Sequence, residues 1–183
     1  MEKGSEKIRY PLIRIAITGP ESTGKSQLAK ELAAHYHTVF VPEYAREYLD
    51  KLNREYEYHD LEIIAKGQMK AQTDAEKKAN KIIFCDTDLT VIKIWSEHKF
   101  KRCPAWVLKN ILQHPYDLYL LCDIDLPWKP DPLREHPHLR TYFFDWYKDE
   151  LHSRNANFSI IAGQGNKRLK SAVDAVEKIF QDS

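Results

Sequence analysis

The chain has 183 residues, 43% of them hydrophobic and 30% charged, and its 28 basic against 27 acidic side chains leave a formal charge of +1. That length can bury one sizeable core, so a single domain over residues 1–183 is expected. The balanced charge excludes a global attraction to nucleic acid or a membrane surface, and any bound anion has to be gripped by a local site.

The opening residues MEKGSEKIRY carry neither the apolar stretch nor the cleavage signal of a secretory leader. No later apolar run approaches the roughly 20 residues of a bilayer span, which makes a cytoplasmic protein the expectation. Cys85, Cys103 and Cys122 follow no CxxC spacing and are expected as free thiols.

The first strand is expected at Ile13 to Thr18, and directly after it comes Gly19-Pro-Glu-Ser-Thr-Gly24-Lys25-Ser26, a full match to GxxxxGK[ST]. Two glycines let the backbone bend around an anion, and the amides at the start of the next helix face it. Lys25 reaches the β- and γ-phosphates of a nucleoside triphosphate, and the Ser26 hydroxyl suits Mg²⁺. The expected ATP-binding set is Gly19, Glu21, Ser22, Thr23, Gly24, Lys25, Ser26 and Gln27. Leu28, Leu32 and Tyr36 then share one helical face.

A second strand, Thr38 to Val41, ends in Pro42-Glu43-Tyr44-Ala45-Arg46-Glu47-Tyr48. Glu43 stands where a strand-end carboxylate can take a proton from an acceptor hydroxyl or orient it; the alternative is a helix-start carboxylate favoured by the dipole. Arg46 and Glu47 on the next turn bind substrate or form a surface ion pair. Tyr44 and Tyr48, spaced i, i+4, pack in a core or offer a ring platform.

From Leu61 the sequence steps helically through Ile64, Ala65, Gln68, Gln72, Ala75 and Ala79, and a third strand follows at Lys81 to Cys85. Asp86 directly after it has the Walker B position, where a carboxylate holds Mg²⁺ itself or through water. Asp88 is placed to cap the helix from Leu89.

The fourth strand, Leu118 to Cys122, leads to Asp123 and Asp125, and then to a stretch that four prolines keep out of regular structure between about residues 126 and 140. Its Lys129, Arg134 and Arg140 suit a lid that neutralises developing charge, with Arg134 the first choice; otherwise it is a solvated loop. His136 and His138 have no third ligand at metal-site spacing. A fifth strand, Phe158 to Ala162, precedes Gly163-Gln-Gly165-Asn166, which borders a purine or forms a plain turn. The last helix, with Asn166 as its cap, carries an apolar stripe of Leu169, Ala172, Val173, Val176, Ile179 and Phe180.

Strands alternating with helices describe an α/β fold: a five-stranded parallel sheet flanked by helices. Its ligand belongs beyond the carboxyl ends of the strands, which here are mostly acidic. A lid and several acidic strand ends favour a kinase for a small acceptor over a nucleotide-dependent switch, because a switch needs no second pocket.

GPESTGKS, EYAREYL at 43–49, AKGQ at 65–68, DTDLTVIKIW at 86–95 and LPWKPDPLR at 126–134 resemble the ribosylnicotinamide kinase domains of the NadR type and the wider AAA-type P-loop family, over nearly the whole chain. The resemblance implies a nucleotide-kinase-like P-loop NTPase fold with a lid loop. The implied activity is ATP- and Mg²⁺-dependent phosphorylation of the ribose 5′-hydroxyl of nicotinamide riboside. By matching position, Lys25 and Ser26 hold ATP and Mg²⁺, Glu43 and Asp86 face the acceptor, and Arg134 belongs to the lid. The chain departs from the pattern at Pro42, where kinase members carry a ring-stacking aromatic residue. Tyr44, Tyr48, Trp128, Arg46 and the acidic groups, Asp88 and Asp131 among them, are then the expected acceptor contacts, or the acceptor is another nucleoside or nucleotide. Either Glu43 or Asp88 is the base.

Overall fold

Apolar runs this continuous belong to strands covered on both faces. In the computed structural model, which describes residues 11–181, they form one sheet of β1 (Ile13–Thr18), β2 (Phe40–Val41), β3 (Ile82–Asp86), β4 (Leu118–Cys122) and β5 (Phe158–Ile161). The opening residues MEKGSEKIRY, where a leader would lie, fall outside the described residues. The strand order is β2-β3-β1-β4-β5 and all four ladders are parallel.

β1 and β4 have the expected bounds, whereas the other three shift. β2 is shorter than expected because the Thr38 hydroxyl donates to the Ile82 carbonyl at 2.7 Å and accepts from the Asn80 amide at 3.0 Å. That side chain takes the place of a backbone ladder. β3 starts at Ile82 because Lys81 is left-handed (φ 65), and the strand runs on to include Asp86. β5 stops at Ile161, one residue early.

Alternate strand residues face opposite layers. Ile15, Ile17, Ile82, Phe84, Leu118, Leu120 and Ile161 pack against α1 (Lys25–His35) and α7 (Asn166–Gln181). Asn166 is the first residue of α7 rather than its cap, and Ala172, Ala175 and Val176 supply the buried stripe. On the other face Val41, Ile83 and Cys85 meet α3 (Tyr58–Glu76), and Ala16, Tyr119 and Leu121 meet α4 (Leu89–Phe100) and α6 (Arg140–Ser153). α2 (Tyr44–Lys51) and α5 (Ala105–Gln113) build a further cluster with α3 and α4. Cys85 and Cys122 are buried free thiols and Cys103 is half-buried. Among the described residues no helix is long and apolar enough to cross a membrane.

The α2–α3 connection is fixed by a carboxylate with no solvent access. Asp60 accepts two hydrogen bonds from the Arg54 guanidinium (2.7 and 2.8 Å), one from the Tyr48 hydroxyl (2.6 Å) and one from the Glu57 amide (2.6 Å). The Arg54 guanidinium holds this carboxyl well below the usual carboxylate range. A hydrogen-bonded ion pair of this kind costs little while whole and much when one partner is removed.

Candidate functional site

The turn after β1 has glycine where a side chain does not fit. A Cβ on Gly19 (φ 129) would lie 3.0 Å from the Cys122 carbonyl oxygen, and one on Gly24 (φ 78) 2.9 Å from Leu126 Cδ1. Gly24 is the N-cap of α1 and supplies no side-chain cap, so the first-turn amides are left for a ligand. The Lys25 ammonium donates to the carbonyls of Gly19 (3.0 Å) and Pro20 (2.8 Å), within its own loop. Thr23 donates to Pro20 O at 2.8 Å.

Because β3 lies beside β1, with Ile17 opposite Asp86, the Asp86 carboxylate is brought to the P-loop. It is 2% exposed, and its Oδ1 is buried with no hydrogen-bond partner. Burial pushes its carboxyl up to about 6; the nearby Glu43 charge adds to that, and a hydrogen bond from Ser26 and the charges of Lys25 and Arg46 oppose it. Glu43 is the N-cap residue of α2, its side chain makes no capping bond, and it lines the same cleft as the P-loop.

That cleft has a volume of about 930 Å³ and is lined by the P-loop together with Glu43 and Arg46. Rings line the same cleft: Tyr56, Trp95, Phe143 and Tyr147, together with His98 and His136. Trp95 Nε1 donates to the Tyr56 hydroxyl at 2.8 Å, the two rings meet edge to face at 4.8 Å, and the Lys99 ammonium sits 3.6 Å over the Tyr56 ring. These rings are the residues that sequence reasoning missed, although Trp95 stands at the end of the DTDLTVIKIW motif.

Four expected acceptor contacts are placed otherwise. The Tyr44 ring packs on Gly67, where a Cβ would come within 2.0 Å of it, and the Tyr48 hydroxyl is committed to Asp60. Asp88 caps α4, accepting from the Thr90 amide at 3.0 Å, from the Thr18 hydroxyl at 2.9 Å and from the Thr90 hydroxyl, so both its oxygens are taken. Trp128 is not among the cleft-lining residues. Arg46 lines the cleft and pairs with Asp131 at 3.1 Å, tying α2 to the proline-rich segment.

That segment, an irregular run ending where α6 begins at Arg140, lies on the P-loop. The Lys129 amide donates to Ser22 Oγ at 2.8 Å, and the amides of Glu135 and His136 donate to the Glu21 carboxylate at 3.1 and 3.3 Å. Arg134 reaches Ser22 Oγ at 3.4 Å and also donates to the Lys129 carbonyl; Arg140 binds the carbonyls of Leu126 (2.8 Å) and Ser22 (3.1 Å). Lys129 and Arg134 line the cleft, as do Gln164 and Gly165 from the turn after β5. Burial raises the Glu21 carboxyl, and the two lid amides oppose that shift.

The site is thus a P-loop beside the Asp86 and Glu43 carboxylates, covered by a cationic segment. The family model described as an AAA domain matches residues 14–168. The chain belongs to the AAA domain family. It is similar to the "Trifunctional NAD biosynthesis/regulator protein NadR" of Salmonella typhimurium, at 34% identity over 124 residues that make up 66% of this chain and 30% of that relative. The chain thus spans under a third of the length of that curated protein. A crystal structure of a NadR protein in complex with NAD and AMP-PNP superposes with a TM-score of 0.77 at 26% identity, covering 92% of this chain and 49% of that one. Thymidylate kinase from Ehrlichia chaffeensis shares the fold, with a TM-score of 0.62 at 14% identity, covering 92% of this chain and all of that one (100%). The P-loop nucleotide-kinase fold expected from the sequence is the fold of this AAA-family chain.

Proposed function

We propose that this AAA-family domain transfers the γ-phosphoryl group of ATP to a hydroxyl of a nucleoside-like acceptor, with the ribose 5′-hydroxyl of nicotinamide riboside the best single candidate. The observation that carries the reading is one cleft lined by the P-loop, by Glu43 and Arg46, and by a set of rings that includes Tyr56 and Trp95. A nucleotide switch has no use for a ring-lined wall beside its phosphate site. The similarity to a NAD-biosynthesis protein, and to a NadR structure that contains AMP-PNP, supports ATP and a pyridine nucleoside as the pair.

The loop amides and Lys25 hold the triphosphate, and on binding the lysine exchanges two carbonyls of its own loop for phosphate oxygens. Ser26 and Asp86 are oxygen donors of the hardness Mg²⁺ requires, and the unpartnered Oδ1 of Asp86 fits such a cation. Bound there, Mg²⁺ would neutralise charge on the β- and γ-phosphate oxygens. Glu43 accepts the proton of the acceptor hydroxyl; that oxygen forms the new bond to phosphorus, the bond to the β,γ-bridging oxygen breaks, and ADP leaves with the electron pair. Arg134 and Lys129 supply positive charge from the lid, which also excludes water. The pyridinium of the acceptor would lie against Trp95 and Tyr56, rings whose faces suit a cation once Lys99 moves aside.

The test is to incubate the protein with Mg-ATP and a panel of nucleosides. ADP release in step with one acceptor supports the kinase; turnover that ignores the acceptor supports a switch and overturns the reading.

A further inference from the structure

Arg168, in the first turn of α7, is 5% exposed and has no part in the transfer just described. Its guanidinium binds three separate segments. Nη1 donates to Asp125 Oδ1 at 2.8 Å and to the Gly163 carbonyl at 2.9 Å; Nη2 donates to the Thr23 carbonyl at 2.7 Å and to the Asp123 carbonyl at 3.2 Å. Asp125 closes the arrangement by accepting from the Gly163 amide at 2.5 Å. One buried cation therefore joins the P-loop, the root of the lid just after β4, and the turn after β5 whose Gln164 and Gly165 line the cleft.

The Thr23 contact bears directly on phosphate binding. No cis peptide bond occurs among the described residues, and in a planar trans peptide the carbonyl and the following N–H point in opposite directions. Holding the Thr23 carbonyl on Arg168 therefore turns the Gly24 N–H away from α7. Arg168 lies beside Gly24: a Cβ there would stand 3.9 Å from Arg168 Nε, an ordinary contact, and a tight 2.9 Å from Leu126.

The geometry points to Arg168 as a positioning residue for the nucleotide: by pinning the Thr23 carbonyl it presents the Gly24 amide to the phosphates, and through Asp125 and Gly163 it locks that cradle to the lid root and the turn bordering the cleft. The inference rests on the nucleotide reading above. Arg168 thus sets phosphate affinity without touching phosphate. A lysine cannot replace it, because one ammonium does not span the acceptors that the fork reaches.

Arg168→Lys and Arg168→Met test this by calorimetry with two probes, Mg-ATP and magnesium with inorganic pyrophosphate, alongside a thermal melt and steady-state kinetics. In Arg168→Lys both dissociation constants should rise about tenfold or more, the worth of a charge-assisted hydrogen bond, while the acceptor KM stays unchanged. A purely structural role would lower Tm and leave both dissociation constants at the wild-type value, and that result overturns the proposal. If Arg168→Met does not fold, Arg168→Lys decides alone. Wild-type protein that binds neither probe removes the nucleotide reading and this inference with it; wild-type binding matched by both variants removes only the inference.

Discussion

Asp86 is buried at a cost, and the cost has a sign. Its carboxyl is pushed up from 3.8 to about 6, so the folded chain binds this proton more tightly than the unfolded chain does. The resulting stabilisation is complete below pH 3.8 and is lost as pH rises through about 6, a swing of ~3 kcal/mol at 1.36 kcal/mol per unit. Asp86→Asn should therefore unfold at higher denaturant than wild type at pH 7.5, lack this loss in melts compared across pH 4 to 7, and transfer no phosphoryl group. In wild type, kcat/KM should fall as pH drops below about 6, where the carboxyl becomes neutral. Lys25→Ala is the complementary case. Its ammonium reaches only carbonyls of its own loop, so transfer should vanish while the unliganded melt stays within about 0.5 kcal/mol of wild type. Glu43→Gln should lower kcat with ATP affinity retained; a rise in acceptor KM alone would make Glu43 a positioning group. Lys25 and Asp86 were legible because a fixed spacing and a strand end mark them. Tyr56 was not, because it lies between Glu55 and Glu57 in a charged connection and is set at the cleft by tertiary contacts, with Trp95 and Lys99 among them.

At the scale of elements, two contacts set how the cleft is walled and covered. The wall depends on Gly67 in α3, where the Tyr44 ring leaves no room for a methyl group. Gly67→Ala should cost ~1–3 kcal/mol in denaturant melts in spite of the better helix propensity of alanine, because overpacking outweighs it. The cover depends on Glu21, which the sequence assigned to the nucleotide and which here accepts lid amides. Its carboxyl is raised by burial, so acid neutralises it sooner than an exposed glutamate and weakens both bonds. Glu21→Gln should speed hydrogen exchange at the Glu135 and His136 amides severalfold at pH 7; exchange unchanged from wild type would show that other contacts hold the lid. The irregular lid was legible from its prolines, but its docking was not, since the Ser22 and Glu21 contacts span more than a hundred residues. Helix α6 gave little periodic signal for a related reason. Its rings Tyr142, Phe143, Phe144, Trp146 and Tyr147 go round the helix, and only Tyr147 among them is buried.

For the whole molecule, ligand and fold are linked through the same loop. A ligand that binds only the folded chain, at 100 times its dissociation constant, adds ~2.7 kcal/mol. For a domain of this size that corresponds to roughly 5–10 °C in Tm. Mg-ATP should give wild type a shift of this order and Lys25→Ala little or none, read by differential scanning calorimetry. The class of fold was legible because strands covered on both faces must be apolar throughout, as Leu118 to Cys122 is. The order of the strands was not, because periodicity records which face of a strand is dry and nothing about which strand lies next to it.

The borders of the sheet are its two briefest strands, β2 with two residues and β5 with four. A foreign strand pairing at either margin would gain few backbone bonds, while the long apolar runs that invite cross-β stacking are enclosed in the middle of the sheet. The fold therefore carries its own protection against fibrillar self-association, built from strand length alone.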